Sequence, residues 1–452
     1  MAFIKIKAGF DIPIKGSPKG EPRTITSDSR VAIDLSCFDD IKLKLLVKVG
    51  ELVKIGDPIA MDKLLNKRVF ISHTSGTIIE IIRGEKRRVL YVVVQPDGKD
   101  EALKLDPFKL KKATKEKVIE RLLVGGAFTF IRKRPCDTLA NPTKLPRTIF
   151  LQGLESAPFR PDPIMHINGF EEEFQTGLQA LEKIVAGNVH LVTRPESKLA
   201  YYADDVNIHS HSAVGPHPIA NPSIHIEHID PITNPTDVIW TLHVRDVVKI
   251  GALINGKFIH EKVIGIGGEG IDEKDRRYYR IKEGSSLQVL LANKQIKEDC
   301  TIISGDPLCG KEVKMDGFIG FFDLALSIIP NSQKREMLHF FRLGKKKFTT
   351  THTYLSGFFQ KMSQKFSMNS LIHGEERPFI DGAVYDKVMP LTVPTMPFLK
   401  ALLEKDYEKA VELGLLEVSA EDFALASFIC PSKIDHIGIV DRGLKEYASH
   451  YL

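Results

Sequence analysis

The sequence predicts a multidomain chain that combines α/β and α+β folds. Residues 1–98 alternate apolar and polar side chains and turn on glycines, which is typical of short β-strands. Residues 99–255 alternate strand-like and helix-like stretches, which is typical of a sheet covered by helices. Short strands return in residues 256–330, and residues 331–452 are partly helical. A chain of 452 residues is long enough for about three domains, and each can bury a core because 43% of the residues are apolar.

The N-terminal strands form two similar halves. Residues 47–61 read VKVGELVKIGDPIAM, and residues 71–84 read ISHTSGTIIEIIRG. Two such halves joined by a hairpin resemble the biotinyl/lipoyl carrier fold, a small barrel-sandwich of two sheets. We expect residues 1–46 to supply its closing strands, because an open barrel leaves unpaired edges. The first predicted domain therefore spans residues 1–98.

Carrier domains of this type bear their prosthetic group on a lysine at the hairpin tip. Lys63 and Lys67 lie in the corresponding hairpin. The spacing from Gly56 to Lys63 is shorter than a carrier arm needs, and the spacing from Lys63 to Gly76 is longer. We therefore expect unmodified, solvated lysines and a docking module rather than a carrier.

Residues 99–255 predict a Rossmann-like α/β domain. Thr114 can cap a first helix that ends at Gly125, and buried strands are expected at residues 147–152 and 188–193. We expect a second helix after Asn168 and a further helical stretch from Asp237. Residues 151–158 hold one glycine and end at a proline, after which further prolines follow. A glycine-rich phosphate cradle is therefore not expected.

Residues 256–330 predict a β-grasp-like domain of the SLBB type, with one brief helix at residues 286–292. They contain Gly265-x-Gly267-x-x-Gly270, which matches the dinucleotide-binding fingerprint. The fingerprint requires a helix directly after it, but a charged turn and β-type residues follow here. We interpret it as a glycine-rich turn. In the C-terminal domain, residues 393–403 and 406–414 have helical spacing, and an apolar run, residues 423–429, stops at Cys430-Pro431.

The composition argues against several classes of protein. The net charge is +5, from 63 basic and 58 acidic residues, so the chain lacks the large basic excess of a nucleic-acid-binding protein. The five cysteines are scattered and none are spaced C-x-x-C, which argues against disulfides, an iron–sulfur cluster or a structural zinc site. The longest apolar stretch, residues 318–330, is too short to span a bilayer. We expect a protein that is soluble or lies on a membrane without entering it.

Histidines concentrate in a short segment of the second domain. A metal ion or polar loop packing would each account for them, and the sequence leaves both open. The histidines are His209, His211, His217, His225 and His228.

The segment FTFIRKRP, residues 128–135, alternates aromatic and basic side chains. Such a pattern suits a quinone head group or the carboxylates of a partner, and it also suits a structural loop. No nucleophile, base and orienting group can be named together, so no catalytic residue is predicted.

Taken together, these segments resemble, from end to end, the NqrA family of the sodium-translocating NADH:quinone oxidoreductase. The similar segments are residues 4–16, 47–59, 75–90, 130–135, 215–218, 302–310, 385–395 and 413–433. The last two are long and unusual, which makes the resemblance specific.

The resemblance implies a cytoplasmic, peripheral subunit of a six-subunit respiratory pump in the bacterial inner membrane. The complex would oxidise NADH, convert ubisemiquinone to ubiquinol and move sodium outward. This chain would dock on the membrane subunit NqrB. FAD, FMN and iron–sulfur groups would lie only in the partner subunits, NqrB to NqrF. The family is related to the C subunit of the Rnf complex and to the NADH-binding flavoprotein subunit of respiratory complex I. This sequence lacks the glycine loop and the cysteine cluster of those relatives.

The resemblance also implies a role in quinone binding. The residues that would carry it are Phe130, Arg132, Arg134 and Pro135. For docking on partners, residues 318–322 and the Phe358-Phe359 pair could contribute exposed apolar surface. A second hypothesis is an NADH- or flavin-binding dehydrogenase chain in its own right, and a third is the prosthetic-group carrier.

Overall fold

A computed structural model describes residues 2–26, 29–65, 67–203, 206–331, 343–350, 354–359, 364–372, 375–378 and 380–451. The described strands form a seven-stranded, a six-stranded, a four-stranded and a three-stranded sheet. These sheets, with the helices around them, confirm the predicted multidomain α/β and α+β architecture.

The strands are numbered along the chain. They are β1 (Phe3–Lys5), β2 (Lys19–Thr24), β3 (Val31–Asp34), β4 (Leu43–Leu45), β5 (Leu52–Val53), β6 (Pro58–Asp62), β7 (Val69–Ile71), β8 (Gly76–Arg83), β9 (Val89–Pro96), β10 (Arg132–Arg134), β11 (Thr138–Leu139), β12 (Thr148–Gly153), β13 (Asn188–Thr193), β14 (His209–Val214), β15 (Ile239–His243), β16 (Glu261–Gly267), β17 (Arg277–Lys282), β18 (Cys300–Ser304), β19 (Lys311–Glu312) and β20 (Ala325–Pro330).

The α-helices are numbered in the same way. They are α1 (Lys115–Val124), α2 (Ile164–Ile167), α3 (Glu171–Ile184), α4 (Pro222–Ile229), α5 (Val244–Ile254), α6 (Leu287–Leu290), α7 (Ser356–Phe359), α8 (Ala383–Asp386), α9 (Thr395–Leu403), α10 (Tyr407–Glu412), α11 (Ala424–Ile429) and α12 (His436–Tyr451).

The barrel-sandwich consists of the sheets β3-β9-β8-β5 and β4-β6-β7, whose inward side chains form one apolar core that includes Phe38 and Phe70. The expectation that residues 1–46 close this barrel holds only from Val31 onward. Strand β1 instead pairs in parallel with β14, and β2 pairs in parallel with β17. The N-terminal segment therefore ties the barrel to both following sheets.

The second domain is built on the sheet β1-β14-β13-β12-β15-β10-β11, in which β1, β14, β13, β12 and β15 run parallel. Because β13 and β15 lie on opposite sides of β12, the strand order reverses beside β12. Helices α3 and α5 cross closely on one face. A Cβ on Gly177 would lie 2.1 Å from the carbonyl oxygen of Val247, so this crossing requires glycine.

The predicted helix from Asp237 is wrong in its first half. Residues 239–243 form strand β15, and helix α5 begins only at Val244. Both elements are almost wholly buried, so neither shows the amphipathic alternation that distinguishes a strand from a helix. The predicted cap is confirmed: the Thr114 side chain accepts a hydrogen bond from the Lys117 N–H at the start of α1.

The third domain is the sheet β19-β18-β20-β16-β17-β2 with the short helix α6 against it. The glycine pattern lies at the end of β16, and a turn and strand β17 follow rather than a helix. A Cβ on Gly265 would lie 1.9 Å from the carbonyl oxygen of Phe159, so this glycine serves close packing. The interpretation as a structural turn is confirmed.

The C-terminal helices α9 to α12 pack on the α/β domain. Asp422, in a capping box with Ser419, accepts hydrogen bonds from the side chains of Asn221 and Ser223 at 2.8 and 2.5 Å. The apolar cores of the two domains are continuous here. Within the described residues, no helix combines the length and the hydrophobicity that crossing a membrane would require.

Candidate functional site

The predicted segment 128–135 forms a short 3-10 turn followed by strand β10, which lies between β15 and β11 in the sheet and pairs with both. Arg132 and Arg134 both contact Asp137, with nitrogen–oxygen distances of 3.3 Å. Burial alone would raise the pKa of Asp137, but the two guanidinium groups outweigh it and lower the pKa. The carboxylate thus holds both arginines in place.

The structure places the four predicted quinone residues in two groups. Arg134 is 2% exposed and donates a hydrogen bond to Ser223 Oγ at 2.9 Å, toward the C-terminal domain. Pro135, which follows a cis peptide bond, is buried with it. Phe130 and Arg132 instead lie where the barrel, the α/β domain and the β-grasp-like domain meet.

At this meeting point, aromatic rings and cations from all three domains form what we call the junction cluster. Its members are Phe38 of the barrel, Phe130, Arg132 and Lys249 of the α/β domain, and Phe321 and Phe322 of the β-grasp-like domain.

The rings and cations of the junction cluster are in mutual contact. The Phe321 and Phe322 rings meet edge to face at 4.8 Å, and Phe38 lies 5.4 Å from Phe321. Arg132 Cζ lies 5.7 Å from the centre of the Phe322 ring, and Lys249 Nζ lies 5.2 Å from that of Phe130. Such distances suit cation–π attraction. The cluster reaches the surface through Phe321 and Phe322, which are half-buried, and through Arg132, whose side chain is 31% exposed.

A buried ion network lies behind the cluster. Lys249 Nζ forms an ion pair with Glu283, and His73 Nδ1 lies 3.5 Å from the other oxygen of that carboxylate. Burial would raise the pKa of Glu283, but Lys249 and His73 lower it to about 2. Burial lowers the pKa of His73 to about 4, so its imidazole is neutral at pH 7.

A second polar cluster fills the carboxyl edge of the parallel sheet, where ligands bind in open α/β folds. Glu155, after β12, lies 3.3 Å from the His243 ring at the end of β15. Arg160 contacts Glu155, Asp306 and Glu421 at 3.6, 2.8 and 2.9 Å. The place where the strand order reverses is therefore filled by ion pairs between side chains of three domains.

The histidines of residues 209–228 serve separate contacts. His211 accepts a hydrogen bond from the Ala2 N–H, and His217 contacts Ser156 Oγ at 2.9 Å. His225 and His228 donate to backbone carbonyls, and His209 contacts Asn188. In the part of the chain that the structure describes, no three His, Cys, Asp or Glu side chains are arranged to hold a metal ion.

The residues predicted to form docking surfaces are partly buried and partly exposed. Phe318 is buried at 4% exposure, whereas Phe358 is 69% exposed, and the side chain of Phe359 lies outside the described residues. Lys63 and Lys67 are exposed beside a buried ion pair between Asp62 and Arg68, whose nitrogen and oxygen are 2.9 Å apart.

Two members of the junction cluster, Lys249 and Phe38, were not predicted from the sequence. A signal existed for Lys249, because it is a lone cation within the apolar run VVKIGALI of a buried helix. A charge in such a position needs a buried partner. Phe38 carries no comparable signal, since an aromatic residue after a strand usually belongs to the core.

Comparisons with known proteins place the chain in a family. Residues 4–97 match the model of the NqrA N-terminal barrel-sandwich hybrid domain, and residues 113–258 match that of the NqrA second alpha/beta domain. The NqrA subunit of the Na(+)-translocating NADH-quinone reductase of Chlamydia pneumoniae is 37% identical over 98% of this chain and 97% of its own length. The chain belongs to the NqrA family.

Other NqrA proteins are similar along their whole length. Those of Chlamydia caviae and Cellvibrio japonicus are 36% and 31% identical, and each alignment covers 98% of this chain. The match covers 97% of the former and 98% of the latter. A solved structure of an NAD+-reducing [NiFe]-hydrogenase aligns with 76% of this chain and 64% of its own at 12% identity. Its TM-score of 0.38 is too low to bear on fold or activity. The family resemblance found in the sequence is thus confirmed.

Proposed function

We propose that this chain is a peripheral subunit of a bacterial sodium-pumping NADH:ubiquinone reductase and that its junction cluster receives the quinone head group. The name of its relatives supports membership of such a complex. The chain rests on the cytoplasmic face of the inner membrane against NqrB, and it holds no redox cofactor. It shapes quinone access during the conversion of ubisemiquinone to ubiquinol, which is coupled to outward sodium transport. FAD, FMN and iron–sulfur groups belong to the partner subunits, NqrB to NqrF, and the isolated chain is not catalytic.

The composition of the junction cluster carries the quinone proposal. A quinone head group is a flat, electron-poor ring with two carbonyl oxygens. Aromatic side chains stack on flat rings, cationic N–H groups donate to carbonyl oxygens, and apolar walls exclude water. Phe321 and Phe322 offer partly exposed rings, and Arg132 offers donors beside them. Of the four residues predicted from the sequence, Phe130 and Arg132 contribute directly, while Arg134 and Pro135 support the strand.

The competing hypothesis is a chain that binds NADH or a flavin itself. The carboxyl edge of its parallel sheet, where such a ligand would sit, holds the ion pairs of Arg160 with Asp306 and Glu421. A nucleotide there would have to displace them. Acid treatment of the purified chain should release no flavin; a stoichiometric yellow supernatant would favour the competing hypothesis.

The functional test uses the assembled complex. A complex that lacks this chain should still oxidise NADH with an artificial electron acceptor but should lose quinone reduction. Complexes with Phe322→Ala should show a raised KM for ubiquinone-1, because a ring that reaches the surface of the junction cluster is removed. Phe3→Ala, which removes a ring that is 65% exposed on β1, is the matched control. Normal quinone reduction and sodium pumping without the chain would refute the proposal.

A further inference from the structure

Lys262 is a buried cation that contacts no carboxylate of the described residues. It lies on β16 directly before the apolar run VIGIG and is 1% exposed. Among the described residues, no carboxylate forms an ion pair with its Nζ. Instead Nζ donates to the carbonyl oxygens of Gly320 at 2.6 Å and Phe321 at 3.3 Å. Burying an ammonium group in this way is costly, so its retention calls for a structural reason in the segment that it holds.

That segment, residues 320–323, is held from several sides. The Phe321 N–H donates to Asp34 Oδ2 of the barrel at 3.1 Å. The Gly320 N–H donates to Ser304 Oγ at 2.9 Å, and Ser304 in turn donates to Asp323 Oδ2 at 2.5 Å. A Cβ on Gly320 would lie 2.2 Å from Asp323 Oδ2, so a larger residue would displace this loop. Polar groups of three separate elements therefore fix its backbone.

The fixed segment carries the two half-buried rings of the junction cluster that reach the surface. Phe321 and Phe322 extend from a loop rather than from a strand, so their positions depend on the backbone bonds of residues 320 and 321. Lys262 supplies two of those bonds, yet its ammonium does not contact either ring within cation–π distance. Its effect on a ligand would consequently pass through the loop.

We propose that Lys262 is a positioning residue that sets Phe321 and Phe322 in the orientation needed to stack on a quinone head group. This inference rests on the proposed function of the junction cluster. Without the ammonium, the two carbonyl groups lose their donor, the loop relaxes and the rings move apart. Binding of the flat ring then weakens, although no group that touches it has been removed.

The charge of Lys262 provides a signature that a purely structural role would lack. Burial and, to a smaller extent, Arg245 lower the pKa of Lys262 to about 8, while Glu283 opposes the shift. Charged and titratable groups face it from α5 (Arg245 and Lys249), the end of β17 (Glu283), the loop (Asp323) and the barrel (His73). As the pH rises through about 8, the ammonium becomes a neutral amine and its hydrogen bonds weaken. Lys262→Arg keeps the charge and leaves all the other groups unchanged, so it isolates this contribution.

The experiment measures binding of ubiquinone-1 to the full-length chain by calorimetry between pH 7 and 9. We expect Lys262→Met to raise the Kd about tenfold at pH 7 by removing charge-assisted hydrogen bonds. Wild-type affinity should fall above pH 8, and Lys262→Arg should flatten that fall. Lys282→Met is the matched control, because Lys282 is 11% exposed in the neighbouring strand and pairs with Asp100 instead.

A second variant protects the test against misfolding. Ser304→Ala removes another bond to the same loop and should raise the Kd in the same direction even if Lys262→Met fails to fold. If the wild-type chain binds ubiquinone-1 but Lys262→Met and Ser304→Ala bind within twofold of it, the positioning role is refuted alone. If the wild-type chain does not bind, the quinone site at the junction cluster fails and this inference fails with it.

Discussion

Lys249 Nζ lies 5.2 Å from the centre of the Phe130 ring and 5.9 Å from that of Phe321, so one buried cation joins rings of two domains. The same nitrogen pairs with Glu283, which also lies beside His73 of the barrel. The junction cluster therefore exists only when three domains are docked. Domain docking and ligand binding should respond to the same perturbations.

Lowering the pH should reduce the stability of the folded chain through His73 and Glu283, which lie behind the junction cluster. The folded-state pKa of His73 is about 4, below its ordinary value of 6.5, because burial disfavours the imidazolium form. Between these values the unfolded chain binds a proton that the folded chain does not, so stability falls as the pH falls from 6.5 to 4. Glu283, with a pKa of about 2, continues the loss below pH 4.5.

The His73→Gln variant tests this directly, because glutamine cannot titrate. Urea unfolding of variant and wild type should be compared at pH 7.5 and pH 5. We expect the stability difference to move by about 2 kcal/mol in favour of the variant at pH 5, given about 1.4 kcal/mol per pKa unit. An identical difference at both pH values would show that His73 does not titrate in this window.

Arg132→Ala and Arg134→Ala should separate ligand binding from folding. Arg132 is partly exposed beside Phe322, so its removal should weaken binding of a quinone-site inhibitor with little loss of stability. Arg134 is buried between Asp137 and Ser223, so its removal should cost about 3 kcal/mol in urea unfolding, as for other broken buried pairs. Any binding loss in Arg134→Ala should accompany that instability.

Inhibitor titration of the assembled complex measures the first effect. Unchanged titration curves for Arg132→Ala would remove this residue from the site. Lys133→Ala, on the same strand between the two arginines, is a suitable control because Lys133 makes no ion pair with any described residue.

Arg160→Met should destabilise the carboxyl edge of the parallel sheet. The substitution leaves Glu155, Asp306 and Glu421 without their shared cation, and we expect a loss of about 3 kcal/mol or more at pH 7. The loss should shrink at pH 5, because burial raises the pKa of Glu421 and protonation relieves the repulsion. Urea unfolding at both pH values measures it.

Arg147→Met is the control for that substitution. Arg147 is 35% exposed and pairs with Asp230 and Asp237 at the opposite end of β12, so its loss should cost about 1 kcal/mol. Equal losses in the two variants would contradict a special role for the Arg160 ion cluster.

Local patterns were sufficient for much of the fold. The alternation of residues 47–84 and the cap at Thr114 act within a few residues, and both predictions agree with the structure. Strands β1 and β2 could not be assigned to a sheet, because a short strand carries no local signal that names its distant partner. The helix predicted from Asp237 was wrong in its first half for a related reason. Elements that are buried on all sides show no alternation of apolar and polar residues that would distinguish a strand from a helix.

The site was predictable only in part. The alternating rings and arginines of residues 128–135, together with the family resemblance, indicated Phe130 and Arg132. Their partners Phe38 and Phe321 come from other domains, and Lys249 comes from a distant helix of the same domain. No spacing along the sequence reports such a meeting. Arg134 lies away from the cluster, against Ser223, and the sequence pattern does not reveal that contact either.

Photoaffinity labelling of the assembled complex with a photoreactive quinone tests the central claim most directly. Mapping of the labelled peptides should find the label within residues 318–324 or 128–134 of this chain. Excess ubiquinone-1 should suppress it, and Phe322→Ala should reduce it while Phe3→Ala leaves it unchanged. Label confined to the partner subunits, or to a part of this chain remote from the junction cluster, would contradict the account.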